Sequence, residues 1–299
     1  IPERENVIVD LLKNILAELG IRNDRLVILG HKQSYMYYAV SQPKELWANS
    51  VGLFEFDEMG LRYTNLTVDK RTIPYIVGAD VHDLSDIMPY SVLQEKGDVK
   101  YMFLNTANTM LHKKMVTTIY VTGKGFEQRW ATDALKELCN GRRVFRGQNL
   151  FNKGAAYAAR MLTDREKTKE FIFLDDDMLT SDISIRTYHN AKMHDVVLAK
   201  AGTLWSDIDE SIDIIPDNED EIQITDKNVL TRETRAHILS LSGFAVRDNK
   251  TTRFTVRIRF ADQYTCIVTL KDNGFGEFYP STNRIWERYI KINGADSKN

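Results

Sequence analysis

Apolar residues recur at helical spacing from Glu5 to Leu19, where Val7, Ile8, Leu11, Leu12, Ile15, Leu16 and Leu19 form a stripe that Gly20 ends. This spacing predicts an amphipathic helix. Leu26 to Leu29 is a short apolar run bounded by charged residues and Gly30, and it predicts a buried strand. A second helix is expected over Ser34 to Val40. After Pro43, the runs Ser50 to Phe56 and Leu61 to Val68 flank Asp57-Glu58-Met59-Gly60, whose turn chemistry predicts a hairpin. Asp80 to Lys114 carries helical patterning broken at Pro89 and Gly97. Thr117 to Thr122 is β-branched and aromatic, hence a strand. A helix opening at Gly125 and running through Cys139, a short strand over Arg143 to Phe145 and a last helix from Leu150 to Leu162 complete a mixed α/β region.

Beyond residue 166 the helical period is lost and short alternating runs take over, which predicts a second, all-β domain. In Arg253 to Phe260, Phe254, Val256, Ile258 and Phe260 alternate with Arg253, Thr255, Arg257 and Arg259, so one face is core and the other solvent. Ala261-Asp262-Gln263 turns the chain into Tyr264 to Leu270, and Asp272-Asn273-Gly274 is expected to close another tight turn. The expected organisation is an α/β domain over 1–165 and a β-sandwich over 166–299, joined by the charged segment Thr163 to Lys169. Pro216 to Glu221 reads as an acidic loop within the second domain.

The chain has 299 residues, 43% of them hydrophobic, enough for two cores. With 40 basic against 42 acidic side chains, no global field points to nucleic acid or to a membrane surface. The apolar runs are far shorter than the roughly 20 residues that span a bilayer. Cys139 and Cys266, distant in sequence, do not make a disulfide framework; they suit a reducing, cytoplasmic compartment and read as small core residues. The opening Ile1-Pro2-Glu3 lacks an initiator methionine, which points to a piece of a longer polypeptide.

From Ile119 the sequence reads Ile-Tyr-Val-Thr-Gly-Lys-Gly-Phe, a strand ending in a glycine turn that launches a helix, and Lys153-Gly154-Ala155-Ala156-Tyr157-Ala158-Ala159 follows further on. Together these resemble the adenosine-side motif of the actin-like and seventy-kilodalton heat-shock chaperone ATPases, second half of the nucleotide-binding domain. The resemblance covers roughly residues 5 to 165 as a pattern and is specific around Thr118 to Ala159. It implies an actin-like (RNase H-like) half-domain in which Gly123, Lys124, Gly125, Arg129 and Gly154 lie on the adenosine side. Ser50 to Val68 then takes the place of the hairpin whose turn contacts phosphates. Family members carry an aspartate and consecutive glycines there, whereas this chain has Glu55, Asp57 and Glu58, which repel phosphate. The family's first phosphate loop is absent from this chain, so ATP hydrolysis by the chain alone is not expected. The second domain is similar in its order to the chaperones' peptide-binding β-sandwich, which implies peptide binding there. The chain also resembles the carboxy-terminal region of an uncharacterised bacterial family of this architecture, a resemblance that supplies no activity.

Each candidate has a plainer reading beside it. A glycine strand-to-helix turn is common in ordinary α/β domains, and that outweighs nucleotide contact at Gly123, Gly125 and Arg129. Arg142, Arg143 and Arg146 read first as a solvated or internally paired basic loop, and second as a site for phosphate or an acidic partner. Asp175-Asp176-Asp177 with Asp182 lacks calcium-loop spacing and reads as an exposed acidic loop. His189 and His194 are not at the i,i+4 spacing of a zinc pair. Glu277 as a general base is outweighed by turn geometry around Asn273-Gly274. Trp47, Trp130, Trp205 and Trp286 are scattered and read as packing residues. The leading expectation is a non-catalytic interaction or scaffold module with an eroded phosphate hairpin, no cofactor of its own, no metal, and a protein or a missing amino-terminal domain as partner. The alternative is the adenosine-side half of a chaperone-like ATPase whose full-length parent binds ATP or ADP with magnesium.

Overall fold

The hairpin expected around Asp57 organises the first half of the chain. Strand β1 (Ser50–Asp57) turns at residues 58 and 59 into antiparallel β2 (Gly60–Asp69), which pairs in turn with β3 (Tyr75–Asp83). On the other side of β1 lies β4 (Val116–Thr122), parallel to it, followed by β5 (Arg143–Arg146), parallel to β4. With β6 (Phe171–Leu174) beyond β3, the sheet order is β5-β4-β1-β2-β3-β6. The computed structural model describes residues 1–94, 97–164, 169–189, 192–218, 220–244 and 247–292. It divides into two units, Ile1–Phe173 and Leu174–Asn299. The expected join between residues 165 and 166 lies outside the described residues. Phe171–Leu174 belongs to the first sheet.

Helices α1 (Asn6–Glu18), α2 (His31–Val40), α3 (Val99–Leu111), α4 (Arg129–Leu138) and α5 (Leu150–Thr163) complete the first unit. One face of the sheet packs Phe54, Phe56, Leu61 and Tyr63 against Phe103 and Ala107 of α3 and Ala131 and Ala134 of α4. The other packs Val51, Leu53, Leu66 and Tyr120 against Tyr35, Met36 and Ala39 of α2 and Ala158 of α5. Because β1 is covered on both faces, its sequence is a nearly continuous buried run.

Several expectations are corrected. Leu26 to Leu29 is not a strand: it is an extended link into α2, and Val27 is 60% exposed. The region from Asp80 is not all helical, because Tyr75–Asp83 is β3; Gly78, Asp80 and Asp83 interrupt the pattern by which a strand is read. The helix expected to open at Gly125 starts at Arg129, after a single 3₁₀ turn over Lys124–Glu127. Cys139 is exposed at the end of α4 rather than in the core, whereas Cys266 is buried.

The second unit is sheet-rich. Strands β7 (Ser181–His189), β8 (Lys192–Ala199), β9 (Asp209–Ile214), β10 (Glu221–Asn228), β11 (Thr234–Ser240), β12 (Phe254–Asp262), β13 (Thr265–Asp272) and β14 (Ile285–Lys291) form two antiparallel sheets, β11-β10-β7-β8 and β14-β13-β12-β9. Both contribute to one core, Ile183, Ile185, Ile222 and Ile224 from the first, Val256, Ile258, Val268 and Leu270 from the second. The alternation read over Arg253 to Phe260 is β12, with Phe254, Val256, Ile258 and Phe260 buried. Asp272-Asn273-Gly274 does not make a tight hairpin. Residues 273–284 form a long connection to β14, because Asp272 binds Arg247 and the backbone of Gly274 and Thr282 instead of closing a two-residue turn.

Candidate functional site

Parallel pairing puts the carboxyl ends of β1, β4 and β5 at one end of the first sheet. Three connections meet there: the hairpin turn after Asp57, the glycine turn after Thr122, and residues 147–149 leading into α5. Open α/β sheets bind ligands at such ends, where the following helices leave toward opposite faces. Lys124 Nζ bonds Glu58 Oε1 at 3.0 Å, an exposed ion pair between the glycine turn and the hairpin. Thr122 Oγ1 donates to the Gly147 carbonyl at 2.9 Å, and the Arg146 guanidinium donates to the Phe126 carbonyl.

On the face covered by α2 and α5, this end carries a charged cluster. Glu55 is 8% exposed. Its Oε1 lies 3.0 Å from His31 Nδ1 and its Oε2 3.4 Å from Arg62 Nη2, which is also 3.8 Å from Asp57 Oδ2. His31 opens α2, and its ring stacks on Phe151 in the first turn of α5 with centroids 3.7 Å apart. The Nε of Arg62 is buried without a hydrogen-bond partner. A buried carboxylate between a guanidinium and an imidazole is stable only as a set, since removing one partner leaves the others desolvated and uncompensated. Glu55, expected beside the turn as a phosphate-repelling group, is therefore drawn back into an internal cluster.

The glycines of the motif are needed for close packing. Gly123 has φ 101°, and a Cβ there would meet the Phe56 carbonyl oxygen at 2.2 Å. A Cβ on Gly125 would lie 2.3 Å from the Phe56 ring, and one on Gly154 would lie 1.9 Å from the Ser34 carbonyl oxygen of α2. Each contact accounts for the absent side chain without a ligand. Arg129 is exposed at the start of α4.

A nucleotide phosphate needs free backbone N–H donors, and the hairpin turn does not fit one. Asp57 Oδ1 already accepts from the Met59 N–H at 2.9 Å, and Glu58 faces the same turn. The one glycine there, Gly60, has Ser85 2.6 Å from where its Cβ would be.

The other candidates disperse. Arg146 is tied to Phe126, while Arg142 borders a cleft of about 430 Å³ with Leu104, Asn108, Lys136 and Asn140. Asp175 Oδ1 accepts from the Asp176 N–H and Asp182 Oδ1 from the Ala201 N–H, each at 2.9 Å. His189 lies on β7 and His194 on β8. Among the described residues no group of three or more His, Cys, Asp or Glu side chains could hold a metal ion. Trp47 and Trp130 are packing residues, against Tyr75 and Phe171 and against Phe56 and Phe103 respectively. Glu277 is exposed in the connection to β14.

Sequence reasoning missed His31, Arg62 and Phe151. Arg62 was within reach: pairing Asp57 with Gly60 across the turn puts Glu55 opposite Arg62.

Fold and site together define a mixed α/β unit with a self-paired charged cluster at its strand ends, followed by an antiparallel two-sheet unit. Residues 1–176 match the C-terminal region of a family of unknown function, DUF5716, and the chain belongs to that family. Residues 178–292 match a domain of unknown function, DUF8552. No curated protein matches the sequence. Among the described residues, no helix is long and apolar enough to cross a membrane.

Proposed function

We propose that the chain is a non-catalytic interaction module built on an actin-like (RNase H-like) half-domain, whose phosphate hairpin has become a structural turn, followed by a β-sandwich. Support for the ancestry comes from the meeting of the hairpin and the Gly123–Gly125 turn, packed through Phe56, at the end of the sheet where the resemblance requires a shared site. Support for a structural role of the hairpin comes from one observation above others: each of the three acidic side chains at its turn has a partner within the unit. Glu55 pairs with His31 and Arg62, Asp57 with the Met59 N–H and Glu58 with Lys124. The buried Glu55–Arg62 pair in this way stabilises a shape rather than waiting for a ligand. On this reading the module works by holding a protein partner, or a preceding region of its own polypeptide.

The same meeting of turns also favours the second reading, in which the full-length parent binds nucleotide and this chain supplies the adenosine side. Calorimetric titration of ATP and ADP with magnesium into the chain and into its full-length parent separates the two. The first reading expects no saturable binding by either. Binding by the parent that Lys124→Glu weakens overturns it in favour of the second.

A further inference from the structure

Helices α3 and α4 pack on the same face of the first sheet, and a cleft opens where α4 ends. Lys100, Leu104 and Asn108 stand four residues apart, so they share one side of α3. Lys100 pairs with Glu137 in the last turn of α4, while Leu104 and Asn108 line the cleft of about 430 Å³ with Leu138, Asn140 and Arg142. Arg142 directly precedes β5, so the cleft sits at the amino end of that strand, opposite the turn that leads to Gly147. Arg142 is half-buried there, and its Nε is enclosed without a hydrogen-bond partner. Both acidic side chains of α4 are engaged elsewhere, Asp133 with Lys136 and Glu137 with Lys100. Among the described residues no carboxylate pairs with Arg142. A guanidinium held partly out of water without a counter-charge is costly, and the cleft beside it has room for one.

The rest of the lining narrows the kind of molecule that brings this counter-charge. Leu138 is buried and Leu104 half-buried, which gives the cleft an apolar wall. The side-chain amides of Asn108 and Asn140 add donors and acceptors. Glu137 and the carbonyl end of α4 bring negative charge to the same cleft. They oppose a doubly charged group such as phosphate, and they favour a ligand that carries a positive charge beside its negative one. We propose that the cleft binds a free α-amino acid with an apolar side chain: the carboxylate on Arg142, the ammonium toward Glu137 and the end of α4, the side chain against Leu104 and Leu138. A cleft of about 430 Å³ has the size of small-molecule pockets. The site adds a small ligand to the interaction module and uses none of the residues of the charged cluster or the hairpin turn.

Titration of L-leucine into the ¹⁵N-labelled chain, followed by NMR at the side-chain amides of Asn108 and Asn140, tests it. The expected result is saturable shifts at one site, weakened about tenfold or more by Arg142→Gln. Leucinamide, which lacks the carboxylate, and N-acetyl-leucine, which lacks the ammonium, should each bind more weakly than leucine by a similar factor. Asn108→Leu keeps Arg142 but fills the cleft from an exposed helix position, so it should abolish binding with the urea midpoint unchanged. That variant decides the matter should Arg142→Gln misfold. No saturable shift with leucine up to about 10 mM overturns the proposal, as does binding that both variants leave unchanged. N-acetyl-leucine binding as tightly as leucine, or inorganic phosphate binding more tightly, overturns the amino-acid assignment and leaves Arg142 a plain anion site.

Discussion

Asp272 is 1% exposed at the end of β13. Arg247 donates to both of its oxygens, at 3.0 and 2.9 Å, and the backbone N–H groups of Gly274 and Thr282 donate at 2.8 and 3.1 Å. Burial pushes this carboxyl up, but the hydrogen bonds from Arg247, Thr282 and Gly274 outweigh it and hold the group down at about 2. A carboxyl depressed on folding contributes stability that is fully present above its unfolded value, near 4, and lost as pH falls toward 2. The contribution is about 2 kcal/mol. Asp272→Asn is therefore expected to destabilise the second unit at pH 7, with a penalty that shrinks by about that amount between pH 5 and pH 2.5. Urea unfolding of both proteins across that range checks it; a penalty independent of pH would show that the charge is not what matters. None of this was legible in Asp272-Asn273-Gly274, which reads as a turn by composition. Its decisive partner, Arg247, is 25 residues away, and no local spacing rule reaches that far.

At the scale of elements, what was legible is what short-range chemistry decides. The β1–β2 hairpin follows from its turn residues, and the strand and glycine turn around Thr122 follow from β-branched residues that end in Gly123. β3 and β6 were not legible, because both hold their places through neighbours: Tyr75 N–H donates to Glu170 O, and the Trp47, Tyr75 and Phe171 rings gather across the two strands. The charged cluster was half legible, since Glu55 and Arg62 sit on one hairpin but His31 comes from α2. The small buried face of α5 was legible in Gly154 and Ala158, four residues apart, yet its partner was hidden. In a solvent-exposed helix, glycine to alanine gains about 1 kcal/mol. Here the added carbon meets the backbone of α2, which cannot yield as a flexible side chain would. Gly154→Ala is expected instead to cost about 1 to 3 kcal/mol by forcing α2 and α5 apart. Thermal or urea unfolding decides the sign, and a stabilised variant would refute the close approach.

The chain divides into two units with separate family matches, 1–176 and 178–292. Their separation predicts that a polypeptide of residues 174–299 unfolds cooperatively on its own, by circular dichroism and urea titration. Residues 1–176 should do the same. Residues 1–165, the division read from sequence, should be markedly less stable or aggregate, because they lack Phe171 and Phe173, which pack on Trp47 and Tyr37. Equal stability of residues 1–165 and 1–176 would show that β6 is dispensable. β6 is also the last element of its sheet to be made, coming after α5 although it lies beside β3. During synthesis β3 therefore waits at the ribosome with an uncovered edge, open to pairing with another nascent chain, until the residues after Glu170 have emerged.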